Sequence, residues 1–154
     1  MFTSITVQQV LRRKGRGYWA VTPRTTAYEA LEVMAGKDIG ALLVIEEGRL
    51  VGVFSERDYA RKVILKGRSS HTTAVGELMT PSPVTVGPEF TLRDCMELMK
   101  QKNIRHLPVT QEGTPVGMVT IRDVVNAIIS LQDEAIEELE NYIAGNEFPS
   151  VSAA

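Results

Sequence analysis

The sequence predicts an α+β protein of two pseudo-symmetric β-α-β-β-α repeats packed through their sheets, with a helix before the first repeat and another after the second. Three observations lead there: the chain matches itself at one constant offset, both copies show the same succession of helical and strand-like apolar periods, and a Gly-bearing turn recurs at the same place in each. Sliding Val21–Ile64 onto Val86–Ile129, an offset of 65 without a gap, leaves 16 of 44 residues identical. Pro23/Pro88, Glu47-Gly48/Glu112-Gly113, Gly52/Gly117 and Arg57-Asp58/Arg122-Asp123 are among them. Chance does not produce that agreement.

The elements follow in order. Residues 1–14 hold a short helix over about Ser4 to Arg13, and residues 15–66 form the first repeat. Within it Thr26 opens a helix whose apolar positions Ala27, Ala30, Leu31 and Met34 follow i, i+3, i+4, i+7 spacing. Ala41–Ile45 and Leu50–Phe54 are strands joined by a turn at Glu47-Gly48, and Tyr59, Ala60, Val63 and Ile64 mark a second helix. A linker over 67–81 lies in a stretch rich in Ser, Thr, Gly and Pro, with room for a helical turn at Val75–Met79. The second repeat, 82–130, runs the same way: Thr91 opens a helix with Leu92, Cys95, Met96 and Met99 inward, Leu107–Thr110 and Pro115–Val119 form the hairpin, and Val124, Val125, Ile128 and Ile129 lie on the last helix. That helix continues into the segment 131–154, where Leu131, Ala135, Ile136, Leu139, Tyr142 and Ile143 stripe one side between acidic residues. Such a stripe packs either on a partner subunit or back on its own domain. A unit of about 60 residues is marginal alone, so the copies should share a core.

Composition narrows the function. A formal charge of −2 and a pI near 5.7 leave no broad positive field for nucleic acid or a membrane surface, so an anion site must be local. No apolar run has membrane-span length, and Met1–Val10 lacks the continuous apolar stretch of a signal peptide, which makes the cytoplasm the expected location. One cysteine, Cys95, rules out an internal disulfide and aligns with Ala30 on a core-facing helix. His71 and His106, the two histidines, are too few for a metal centre, and no nucleophile stands beside a base, so no enzyme is expected.

The residues that carry chemistry recur in register. Each copy places Gly-x-x-(Ser/Thr)-x-x-Asp at the step from its last strand to its last helix: Gly52 to Asp58 with Ser55, and Gly117 to Asp123 with Thr120. One reading is helix capping alone, since Ser or Thr followed three residues later by an acid is a capping box. The other is a nucleotide cleft. An ionised Asp can accept from both ribose hydroxyls, the adjacent hydroxyl and free N–H groups suit a phosphate, and glycine lets a flat ring approach the backbone. Apolar walls and backbone hydrogen bonds would then select adenine.

The duplicated unit, the segment Arg105-His106-Leu107-Pro108-Val109 and the paired Gly-x-x-(Ser/Thr)-x-x-Asp resemble a tandem pair of cystathionine-β-synthase (CBS) domains, a Bateman module of the small stand-alone bacterial type. The resemblance spans about Gly15 to Ile129. It implies two pseudo-symmetric clefts for AMP, ADP, ATP, NAD(H) or S-adenosylmethionine, a disc-like homodimer in head-to-head or head-to-tail form, and a regulatory role through an unknown protein effector. Carried onto this chain, it implies one cleft with Thr120 and Asp123 for phosphate and ribose, Met118 against the base, and Lys14, Gly15, Tyr18, Trp19 and Ala20 opposite. Arg105 and His106 fall where phosphates are contacted. The mate would use Ser55 and Asp58, with Val53 near the base and Met79, Thr80, Pro83 and Val84 opposite. There Gly40-Ala41 replaces the Arg-His pair, and Arg57, Arg61 and Lys62 are the basic residues nearby. A structural dimerisation module without ligand is the alternative.

Overall fold

Why do the two copies need the segments outside them? The core of each repeat is completed by a helix that comes from outside it in the chain. The computed structural model describes residues 4–15 and 17–153, with side chains as far as 145. The first residues of the 1–14 segment and the end of the 131–154 segment lie outside the described residues.

Helix α1 (Val7–Lys14) precedes β1 (Ala20–Val21), α2 (Ala27–Lys37), β2 (Ala41–Glu46), β3 (Arg49–Ser55) and α3 (Glu56–Tyr59), which continues as a π-helical turn over Ala60–Ile64. Then come α4 (Val75–Leu78), β4 (Thr80–Pro81), α5 (Leu92–Lys102), β5 (His106–Gln111), β6 (Thr114–Thr120) and α6 (Ile121–Ala153). Helix α1 starts at Val7 because Thr6 caps it, its side chain accepting from Gln9 N–H. Thr26 and Thr91 cap α2 and α5 in the same way, each with a reciprocal acid three residues on.

The hairpins β2-β3 and β5-β6 are antiparallel, and their turns place Glu47 and Gly48 at φ 50° and 77°, Glu112 and Gly113 at φ 53° and 81°. Both central residues in the left-handed region is what a twisted two-residue hairpin requires. Strand β2 alternates its apolar run between two cores. Leu42 and Val44 point into the first repeat, while Ala41 and Leu43 meet Val53 and Met118 in a cluster between the repeats. Packing of the copies through their sheets is therefore observed.

The flanking helices are exchanged. Val7 N–H donates to Phe90 O at 2.8 Å and Leu92 N–H to Ile5 O at 2.9 Å, so α1 sits in the second repeat, where Val7 and Val10 join the core of Leu92, Cys95 and Leu107. Helix α4 takes the equivalent place in the first: Val75 N–H donates to Thr25 O at 2.8 Å, Ala27 N–H to Thr73 O at 2.9 Å, and Val75 and Leu78 join Ala30, Met34 and Phe54. The stretch between the repeats is thus part of the first core.

Several residues depart from the periodic reading. Met96 is exposed on α5, and Val125 and Ile129 on α6, and Ile64 beside α3, face outward. The first strand of the second copy contracts to a parallel bridge, Val86 with Val109, whereas the first copy gains β4 and forms a four-stranded sheet β1-β2-β3-β4. Among the described residues no helix is long and apolar enough to cross a membrane.

Candidate functional site

One cavity of about 660 Å³ opens between the repeats and is lined by both. Its size lies within the roughly 300–1,000 Å³ usual for small-molecule sites. The two clefts expected from the sequence are joined in it. Thr120, Asp123 and Met118 line it together with Ser55, Asp58 and Val53, and so do Lys14, Tyr18, Trp19, Thr80, Pro83, Val84, Arg105 and His106.

Three residues stand elsewhere. Gly15 ends α1 as its left-handed cap at φ 70°, Ala20 pairs with Leu43 in β1, and Met79 packs on Gly52; none lines the cavity. The two motif glycines also serve another purpose than the approach of a ring. A Cβ on Gly52 would strike the Met79 sulfur and come within 2.9 Å of Thr80 O, and one on Gly117 would come within 2.7 Å of Leu11 Cδ2. They are bare so that the exchanged segments can lie against β3 and β6.

Capping and something beyond it are both visible at the two aspartates. Asp58 Oδ2 accepts from Ser55 N–H at 2.9 Å and from Ser55 Oγ at 3.0 Å, and Oδ1 lies 3.4 Å from Lys62 Nζ. Both its oxygens are engaged by its own repeat. Asp123 Oδ2 accepts from Thr120 N–H at 2.9 Å and from Lys14 Nζ at 3.0 Å, while Oδ1 has no partner among the described residues. Lys14 also donates to Met118 O at 2.9 Å. That ammonium is brought in by α1, which runs on past the point where α4 stops, so the likeness of the two clefts ends here.

The basic side chains gather from both copies. Arg57, Arg105 and Arg122 line the cavity; Arg57 donates to Asn103 O at 3.4 Å, and Arg105 and Arg122 have no ion pair among the described residues. Arg61 is exposed and takes no part. The space beside Gly40 is bounded by His106 from the other repeat and by Glu56 from its own: a Cβ there would lie 3.6 Å from His106 Nε2 and 3.5 Å from Glu56 Oε1. Arg122, Glu56, Asp38 and Asn103 were not expected in the lining. The recurrence of Arg57 as Arg122 and of Asp38 as Asn103 at the offset of 65 is the signal that could have found all but Glu56, which aligns with Ile121.

Burial holds the His106 pKa below its ordinary value, and the Arg105 charge pushes the same way; Asp58 and Asp123 oppose this and Arg57 adds to it. A folded-state pKa below the unfolded one means the unfolded chain binds more protons, so this residue makes stability rise with pH. Thermal melts are expected to show stability falling as pH drops through about 6.5 towards the depressed value, and His106→Gln to flatten that slope. An unchanged slope in the variant would assign it to other groups. Cys95 is buried, and its thiol is pushed up to about 11 by burial first and by Asp94 second, so it is a packing residue.

Two pseudo-symmetric repeats sharing one cavity between them have the build of a small-molecule-binding module. Both repeats match the CBS domain family model, at residues 15–65 and 75–130, and the chain belongs to that family. It is similar to the CBS domain-containing protein CBSX3, mitochondrial, of Arabidopsis thaliana, at 40% identity over 94% of this chain and 74% of that protein. It resembles YhcV of Bacillus subtilis at 33% identity over 86% of each. Among solved structures, a protein with CBS domains from Burkholderia ambifaria MC40-6 superposes with a TM-score of 0.78 at 42% identity, covering 81% of this chain and 94% of that one.

Proposed function

We propose that the chain is a non-catalytic sensor that binds an adenine nucleotide, AMP, ADP, ATP or NAD(H), in the cavity between its repeats and passes the state on to a protein effector. The observation that carries this reading is the Oδ1 of Asp123, free among the described residues, in a cavity that also holds Arg105 and Arg122, which have no ion pair among those residues. A carboxylate oxygen with nothing to accept suits sugar hydroxyls, and unpaired guanidinium groups suit phosphates. Tyr18, Trp19, Val53 and Met118 supply apolar surface for the base. Lys37 lies 4.2 Å above the Trp19 ring, fixing that indole at the cavity rim. A homodimer and the cytoplasm are the assembly and compartment proposed with it.

Thermal denaturation tests the reading directly. A ligand present at 100 times its dissociation constant raises stability by about 2.7 kcal/mol, and such a rise is expected with at least one of AMP, ATP and NADH. S-adenosylmethionine is the ligand to try beside them. No rise with any of the four would overturn the sensor reading in favour of a structural pairing module, and turnover of ATP or NADH during long incubation would overturn the non-catalytic part. Mass spectrometry of small molecules released from freshly purified protein needs no choice of ligand.

A further inference from the structure

Every side chain of α6 from Gln132 to Gly145 is exposed, although the segment carries Ile136, Leu139, Tyr142 and Ile143. Its helical state is not self-explanatory. It holds Asp133, Glu134, Glu137, Glu138 and Glu140 and no Lys or Arg, so no i,i+4 ion pair supports it. Asp133 with Glu137, and Glu134 with Glu138, are instead like-charged neighbours one turn apart, which disfavours the helix. A stretch like this holds a helix when its apolar face is covered.

What covers it is written in the spacing. Exposed apolar residues step along α6 as Val125, Ile129, Ile136, Leu139 and Ile143, with Gln132 completing the alternation of four and three. In heptad terms Ile129, Ile136 and Ile143 occupy the a positions and Gln132 and Leu139 the d positions. β-Branched residues at a with Leu at d favour two parallel strands. The charges lie around this seam in a telling way. A basic partner helix would want acids on both flanks, yet the g flank is Ile128, Ala135 and Tyr142, and only the e flank, Asp133 and Glu140, is acidic. In a parallel pair each acidic e position faces an uncharged g position of the other strand, so no like charges meet across the seam.

We infer that α6 pairs in parallel with α6 of a second copy of this chain, as a short two-stranded coiled coil running on from the repeats. The seam from Ile129 to Ile143 is about 21 Å long at 1.5 Å per residue. Because the stripe begins on the repeat itself, at Val125 and Ile129, the pairing sets the two modules side by side in the same direction rather than head to tail.

Disulfide trapping reads this arrangement. Leu139→Cys places a thiol on the seam and Glu138→Cys one on the outer face; Cys95 is buried and stays silent. In a glutathione buffer at dilute protein, Leu139→Cys is expected to give a covalent dimer on a non-reducing gel, and Glu138→Cys to stay largely uncrosslinked while retaining the melting temperature of the unaltered chain. Crosslinking of both or of neither overturns the parallel seam. Light scattering of the unaltered chain is expected to show a dimer or a multiple of one. A monomer overturns the inference, and a monomer that binds a lysine-rich amphipathic peptide gives the face to a basic partner instead.

Discussion

Asp123→Ala is expected to weaken AMP binding at least about tenfold in calorimetric titration, the loss of roughly one charge-assisted hydrogen bond, whereas Asp58→Ala is expected to change it less. The two carboxylates look equivalent in the sequence and differ in what already holds them. Ser55 takes Oδ2 of Asp58 through both its N–H and its hydroxyl, and Lys62 sits on the other oxygen. Asp123 spends a single oxygen on Thr120 and Lys14. A sugar hydroxyl can thus reach Asp123 without breaking a contact, while at Asp58 it must compete with Lys62. Removing Asp123 also strips Thr120 N–H of its cap and leaves Lys14 with Met118 O alone, at a cost of about 1 kcal/mol in stability. Asp123→Asn separates the two effects, because an amide oxygen still accepts from Thr120 N–H but carries no charge. An unchanged dissociation constant in both variants would remove Asp123 from the ligand, whatever the cavity binds.

The self-match at 65 residues made the fold legible, because a repeated pattern of periods can be checked against itself. It also made the aspartate pair legible, along with the capping threonines at 26 and 91. The exchange of α1 and α4 was not legible. Val7 and Val10 announce an amphipathic helix, but periodicity names a face and not the surface it meets, and the copy that α1 completes is the one farther away in sequence. The same limit concealed the true partner of Lys14. It stood among the residues facing the second copy, yet that its ammonium would bridge Asp123 and Met118 O depends on α1 running on to Gly15. The glycines were misread for a related reason. A Gly before a binding motif suggests room for a ligand, and the room at Gly52 and Gly117 is taken by the chain's own Met79 and Leu11.

That reassignment carries the second large effect: Gly52→Ala is expected to cost about 2 kcal/mol, read as a fall in melting temperature of roughly 4–8 °C, and Gly117→Ala under about 1 kcal/mol. The difference lies in what each new methyl meets. At Gly117 it meets the tip of Leu11, 2.7 Å away at Cδ2, and a leucine tip can turn aside. At Gly52 it meets the Met79 side chain and also Thr80 O at 2.9 Å, a backbone atom held by the pairing of Gly52 with Pro81 and Val53 with Thr80. To make room, β4 must leave β3. Since Thr80, Ser82 and Pro83 line the cavity, the same displacement should weaken ligand binding from a residue that is not in the lining. Equal melting temperatures for the two variants would mean that β4 yields as readily as a side chain, and the first repeat would then have a wall that can open.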